Sequence, residues 1–217
     1  MTLAEQLAAG IAELGQSLSD EVQRKLLDYI GLLDKWNKVY SLTAIREPER
    51  MVSLHLLDCL AAIPHLHAPR VLDVGSGGGM PGIPLAIVDP AVEVTMLDSN
   101  QKKTSFLRQA LIDLDLPRAR VITDRVEAVH DEQGFGLITS RAFSDLAEFV
   151  RLTRHLLAGG GRWVAMKGVH PYEEIAQLPK DVIVKQVIPL RVPGLDAERH
   201  IVVVPSIAIR EGVKKSF

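Results

Sequence analysis

The chain has 217 residues, 47% of them hydrophobic and 24% charged, enough for one domain with a sizeable core and a modest extension. Its net charge of −2 is unlike that of a free-standing nucleic-acid binder, so any such function must rest on a local basic patch. No apolar run nears the roughly 20 residues of a membrane helix, no basic stretch leads into a cleavage signal, and the lone cysteine, Cys59, excludes internal disulfides and implies a reducing, cytoplasmic setting.

The first 65 residues read as helical. Leu3, Leu7, Ile11 and Leu14 fall at helical spacing. Ser19 is placed to cap a second helix, with Asp20 and Glu21 in its first turn and Val22, Leu26, Leu27, Ile30 and Leu33 along its apolar face. Lys35, Trp36, Lys38, Tyr40, Arg46 and Arg50 interleave basic and aromatic side chains, a pattern suited to a nucleic-acid surface. Trp36 and Tyr40 serve equally well as packing residues that dock helices onto a sheet. Pro48 opens a third helix to about Ile63, in which His55 is a packing residue. His65 and His67, flanked by Pro64 and Pro69 and without nearby thiolates, read as a loop and not a metal site.

From Arg70 the pattern changes. Strand-like runs at 70–74, 92–98, 120–123, 136–140, 162–167, 182–189 and 200–205 alternate with helical stretches such as 101–114 and 144–157. This predicts a mostly parallel, doubly wound α/β sheet. The last two runs have no long helix between them and should form an antiparallel pair at one edge. Seven strands with that ending describe a Rossmann-like methyltransferase core over 66–209, preceded by the helical extension 1–65 and followed by a basic tail, 210–217. No heptad or exposed-edge pattern argues for assembly, so a monomer is expected.

The first strand runs into a glycine-rich turn, Val71-Leu72-Asp73-Val74-Gly75-Ser76-Gly77-Gly78-Gly79-Met80-Pro81-Gly82, and Asp98 ends the next strand. A strand, a glycine loop and a later acid form the ribose-binding unit of nucleoside cofactors. Gly77, Gly79 and Gly82 match the dinucleotide fingerprint, but Asp73 beside the turn would repel a pyrophosphate. Pro81 and Pro84 also interrupt the following helix. A ligand carrying a sulfonium and an ammonium group suits these charges better, which favours S-adenosylmethionine over NAD.

Several segments together resemble one family. They are Trp36-Asn37-Lys38-x-Tyr40-x-Leu42-Thr43, the glycine loop through Ile83-Pro84, Leu97-Asp98-Ser99 with Lys103 and Phe106-Leu107, Ser140-Arg141-Ala142, Lys167-Gly168 and Glu198-Arg199-His200. Over nearly its whole length the chain resembles the bacterial small-subunit ribosomal RNA methyltransferase G family, also called glucose-inhibited division protein B. One departure is Ser41, where the family more often has Asn. The resemblance implies methylation of N7 of a guanine in 16S ribosomal RNA, with S-adenosylmethionine as donor, no metal, and naked RNA or the 30S subunit as substrate.

It also distributes roles. Asp73, Gly75, Gly77, Gly79 and Met80 would serve the methionine end of the donor, Asp98 the ribose, Val126 and Glu127 the adenine edge, and Arg141 the cofactor site. Arg141 and Lys167 are candidates for positioning the substrate. Lys35, Lys38, Arg46, Arg50, Lys167, Arg199 and His200 are candidate RNA contacts. Missing motifs agree with an N7 target. The only cysteine lies in the helices, where it cannot activate a pyrimidine C5, and Ser140-Arg141-Ala142-Phe143 replaces the Asn/Asp-Pro-Pro-aromatic run of exocyclic amine methylases. The guanine N7 lone pair is free at neutral pH, so no proton-transfer residue is required and catalysis should come from in-line positioning. Two rival readings stay open: a small-molecule methyltransferase with a helical lid, and a non-catalytic sensor of the nucleoside ligand.

Overall fold

The computed structural model describes residues 1–141, 143 and 145–206; Ala142, Ser144 and 207–217, which include the expected tail 210–217 and the end of the expected core, lie outside the described residues. Helices form where caps and apolar spacing coincide. Thr2 caps α1 (Leu3–Glu13), its hydroxyl accepting from the Glu5 amide while the Glu5 carboxylate accepts from the Thr2 amide. Ser19 caps α2 (Asp20–Tyr40), accepting from the Val22 amide as predicted. The expected third helix is one run in three segments: α3 (Pro48–Met51), a π-helical stretch Val52–Leu57, and α4 (Asp58–Ala62). Such π-helical turns are rare and gather at functional sites. No described helix is long and apolar enough to cross a membrane.

The core alternates strands with helices. It comprises β1 (Arg70–Val74), α5 (Gly82–Val88), β2 (Glu93–Asp98), α6 (Gln101–Asp113), β3 (Ala119–Thr123), β4 (Phe135–Ser140), α7 (Leu146–Thr153), β5 (Leu157–Lys167), α8 (Tyr172–Ala176), β6 (Gln186–Leu190) and β7 (Arg199–Pro205). These strands form one seven-stranded sheet in the order β3-β2-β1-β4-β5-β7-β6. β7 lies antiparallel between β5 and β6, and the remaining pairings are parallel. The strand order reverses between β1 and β4, so the crevice at the carboxyl ends of those strands is where a doubly wound sheet binds its ligand.

Both faces of the sheet are covered, as buried parallel strands require. On one face Val71, Val94 and Leu137 join Leu26, Ile30 and Leu33 of α2, Ile83 of α5, and Phe106 and Leu107 of α6 in one apolar cluster. On the other, Leu72, Val74 and Ile138 pack with Phe149 and Val150 of α7. Trp36 contacts Phe106 with ring centroids 5.7 Å apart, the docking reading of that residue, whereas Tyr40 is 42% exposed. The strand expected at 162–167 begins earlier, at Leu157, after α7 and a short 3-10 turn, Arg154–Leu156. The run Gly159-Gly160-Gly161 disguises its start as a loop, and the ladder shifts register there against β4.

Candidate functional site

The glycine loop leaves β1 at the switch point. Gly75, Gly77 and Gly79 all take positive φ, at 71°, 57° and 93°, a conformation that costs a glycine little. The loop is pinned from two sides. The Gly77 amide donates to Asp98 Oδ2 at 3.0 Å, and the fully buried Tyr29 of α2 donates its hydroxyl to the Gly78 carbonyl at 2.6 Å. Burial pushes the Tyr29 phenol well above its usual range, which keeps it a donor. Asp98 Oδ1 accepts from the Asn100 amide, but it is the Asn100 side chain that caps α6. The Asp98 carboxylate is thereby held at the end of β2 and is not needed for the helix cap.

Asp73 is fully buried in β1. Its Oδ2 accepts from the Gly82 amide at 3.0 Å, while Oδ1 has no partner among the described residues. Desolvation raises its pKa to about 7 against the opposing pull of that amide, Ser76 and Arg141. A Cβ on Gly82 would lie 2.6 Å from Met96 Cγ and 2.9 Å from Asp73 Oδ2, so only glycine fits there. Val74, Gly75, Asp98, Val126, Glu127 and Phe143 line a cleft of about 290 Å³ beside this loop. Val126 is buried and Glu127 exposed in the 3-10 turn Val126–Ala128. Gly77, Gly79, Asp73 and Met80 do not line this cleft; Met80 is 4% exposed and points its sulfur at Arg141 Nη2, 3.2 Å away.

A second cleft, about 390 Å³, opens where the helical extension meets the ends of β5 and β7. Leu54, His55 and Asp58 come from the extension, and Arg141, Lys167, Arg199 and His200 from the sheet. Asp58, 2% exposed, joins them: its Oδ2 accepts from Arg141 Nη1 at 3.3 Å and its Oδ1 from Arg199 Nε at 2.9 Å. Lys167 donates to the Phe143 carbonyl at 3.0 Å and to Glu174 Oε2 of α8 at 2.6 Å. His200 Nδ1 lies 2.7 Å from the Gly168 carbonyl. His55 is held between Thr43 Oγ1 and the Leu54 carbonyl, and burial with Arg141 nearby lowers its pKa to about 4, so it is neutral at pH 7. The Asn37 side chain accepts from the Thr43 amide and donates to the Ile45 carbonyl, folding the 41–47 loop so that Ile45 reaches this cleft.

Four expected RNA contacts lie elsewhere. Lys35, Lys38, Arg46 and Arg50 are exposed and outside both clefts; Lys38 pairs with Asp34 at 2.8 Å and Arg50 with Glu47 at 3.6 Å. The reading from sequence missed Asp58, Glu174 and Tyr29. An acid within the apolar run 52–63 is the signal for Asp58, since a buried charge needs a charged partner. Among the described residues no group of His, Cys, Asp and Glu side chains is arranged to hold a metal ion.

A cleft of about 290 Å³ lined by an acid at the end of β2, a buried carboxylate oxygen without a partner among the described residues and a pinned glycine loop fit S-adenosylmethionine. With the β7-reversed sheet, they define a Rossmann-like class I S-adenosylmethionine-dependent methyltransferase. Comparison narrows this. Residues 22–202 match the family described as rRNA small subunit methyltransferase G, and the chain belongs to that family. Proteins named ribosomal RNA small subunit methyltransferase G from Laribacter hongkongensis and Chromobacterium violaceum are 63% and 60% identical, each over 93% of this chain and 98% of the relative. A solved S-adenosylmethionine-dependent methyltransferase from Aquifex aeolicus shares the fold at TM-score 0.59 and 14% identity, over 79% of this chain and 97% of that one.

Proposed function

We propose that this methyltransferase acts on N7 of a guanine in 16S ribosomal RNA of the small subunit, working as a cytoplasmic monomer. The observation that carries the reading is the adjacency of the two clefts. The β4 end separates them: Arg141 lines the second, Phe143 lines the first, and the Phe143 carbonyl accepts from Lys167 of the second. The names of the relatives supply the RNA class. On this reading S-adenosylmethionine supplies a methyl group made electrophilic by its sulfonium. Asp98 and the Val126–Glu127 turn hold the nucleoside end, and Asp73 and the Gly75–Gly79 loop serve the methionine end. Met80 acts through Arg141, and Arg141, Lys167, Arg199 and His200 position the acceptor in the second cleft. Lys35, Lys38, Arg46 and Arg50 give the extension (1–65) a phosphate-facing surface beside the core (66–209), with the tail (210–217) as a further basic segment.

The target must be a loop base or one drawn out of its stack, because N7 is hidden in the deep A-form major groove. No general base is required. Cys59 is fully buried and its thiol is pushed up by burial, which disfavours a covalent route. Incubation with labelled S-adenosylmethionine and either 16S RNA or 30S subunits lacking the modification tests the reading. N7-methylguanosine in the digested product supports it. Cofactor binding without transfer to either substrate overturns it in favour of a small-molecule substrate or a sensor.

A further inference from the structure

The second cleft presents a charge problem. Arg141, Lys167 and Arg199 are three cationic side chains lining it, and each donates to a carboxylate: Arg141 and Arg199 to Asp58, and Lys167 to Glu174. Such a cleft suits phosphate and the acceptor edges of a base. It is hostile to a cation.

Methylation at N7 creates one. The N7 lone pair forms the new N–C bond, and the electrons of the breaking S–C bond remain on sulfur. Sulfur becomes neutral, the guanine ring becomes cationic, and no proton moves. The positive charge therefore travels from the donor cleft into the cleft that already holds three cationic groups.

We propose that Asp58 is a positioning residue that balances the charge of the acceptor cleft and fixes Arg141 and Arg199, so that positive charge can develop on the base. The inference rests on the guanine-methylation reading above. Both oxygens of this one carboxylate are committed, one to each guanidinium, on side chains 83 and 141 residues away in sequence. It is 2% exposed, so water does little to screen it, and a buried charge acts over a longer range than a surface one. It enters from the first residue of α4, directly after the π-helical stretch that carries Leu54 and His55 into the same cleft. His55 sits beside Arg141 in its neutral form and adds no further positive charge at pH 7.

Charge balance and simple structural support predict different kinetics. In Asp58→Asn the cleft gains one unit of positive charge while its shape is preserved. The single-turnover rate at saturating S-adenosylmethionine should fall about tenfold to hundredfold, less than the roughly hundredfold to thousandfold lost with a donor that touches the developing charge directly. Binding to unmodified 30S subunits should not weaken, and its dependence on log salt should steepen by about one as a guanidinium is released to phosphate. Asp58→Glu keeps the charge and should hold the rate within about threefold of wild type. If rate and 30S affinity fall together, Asp58 is a structural strut and the proposal is overturned. Should Asp58→Asn fail to fold, Asp58→Glu decides: retention within about threefold supports charge balance, and loss of about tenfold or more refutes it. An inactive wild-type enzyme that still binds S-adenosylmethionine would remove the functional reading itself. An active wild type with an Asp58→Asn variant unchanged in rate and salt slope would remove only this inference.

Discussion

At the scale of single residues, backbone and burial set the most specific expectations. Ser41 ends α2 in the left-handed region, at φ 51° and ψ 55°, where a serine Cβ is strained and asparagine is tolerated. The Asn that the family resemblance leads one to expect here would fit this conformation more easily. Ser41→Asn should stabilise the chain by about 0.5–1 kcal/mol, read as a higher midpoint in urea with an unchanged slope. Asp73 makes a different prediction. Its folded pKa of about 7 lies above the ordinary 3.8, so the folded chain holds a proton that the unfolded chain has released. The stability this contributes is complete below about pH 4 and is lost as pH rises through 7. Asp73→Asn should flatten that decline across a pH series of unfolding curves; an unaltered slope would show that the carboxyl ionises normally. The glycine loop and Asp98 were legible in the sequence because a glycine run after one strand and an acid ending the next form a recognisable pattern. Asp58 was not, because its meaning depends on two arginines distant in sequence, and pattern reading sees neighbours only.

At the scale of elements, the same distinction holds. Seven strands and their order of direction followed from the alternation of β-rich and helical runs, and Ser19 correctly marked the start of α2. The start of β5 was hidden because Gly159–Gly161 has no side chains to display a two-residue period. The π-helical stretch was invisible because its apolar positions also satisfy an α-helix. α1 reaches this stretch at Gly10, where a Cβ would collide with the Leu57 side chain. Gly10→Ala should therefore destabilise the protein by about 1–3 kcal/mol despite alanine's better helix propensity, a reversal that thermal unfolding will detect. The tie from α2 to the glycine loop is equally specific. Tyr29→Phe leaves the buried Gly78 carbonyl without its hydroxyl donor, at a cost of about 1–3 kcal/mol. It should also weaken S-adenosylmethionine binding in calorimetry, since the loop loses an anchor; unchanged affinity would show that Asp98 alone fixes it.

At the scale of the whole molecule, the helices of the first 65 residues and the sheet share one apolar cluster. α2 contributes Leu26, Ile30 and Leu33 to the cluster that also contains Ile83, Phe106 and Leu107. A chain beginning at residue 66 should uncover that face and fail to yield soluble protein, judged by expression and gel filtration. The extension also supports both regions: Tyr29 pins the glycine loop beside the first cleft, and Asp58 lines the second. That arrangement limits how such a protein can acquire a new target. Exchanging the helical part for another module would discard the hydroxyl that pins the glycine loop and the carboxylate that joins Arg141 to Arg199. On the reading proposed above, a new target is reached through piecemeal change in the loops that border the second cleft, 41–47 and 168–171, while Tyr29 and Asp58 stay in place.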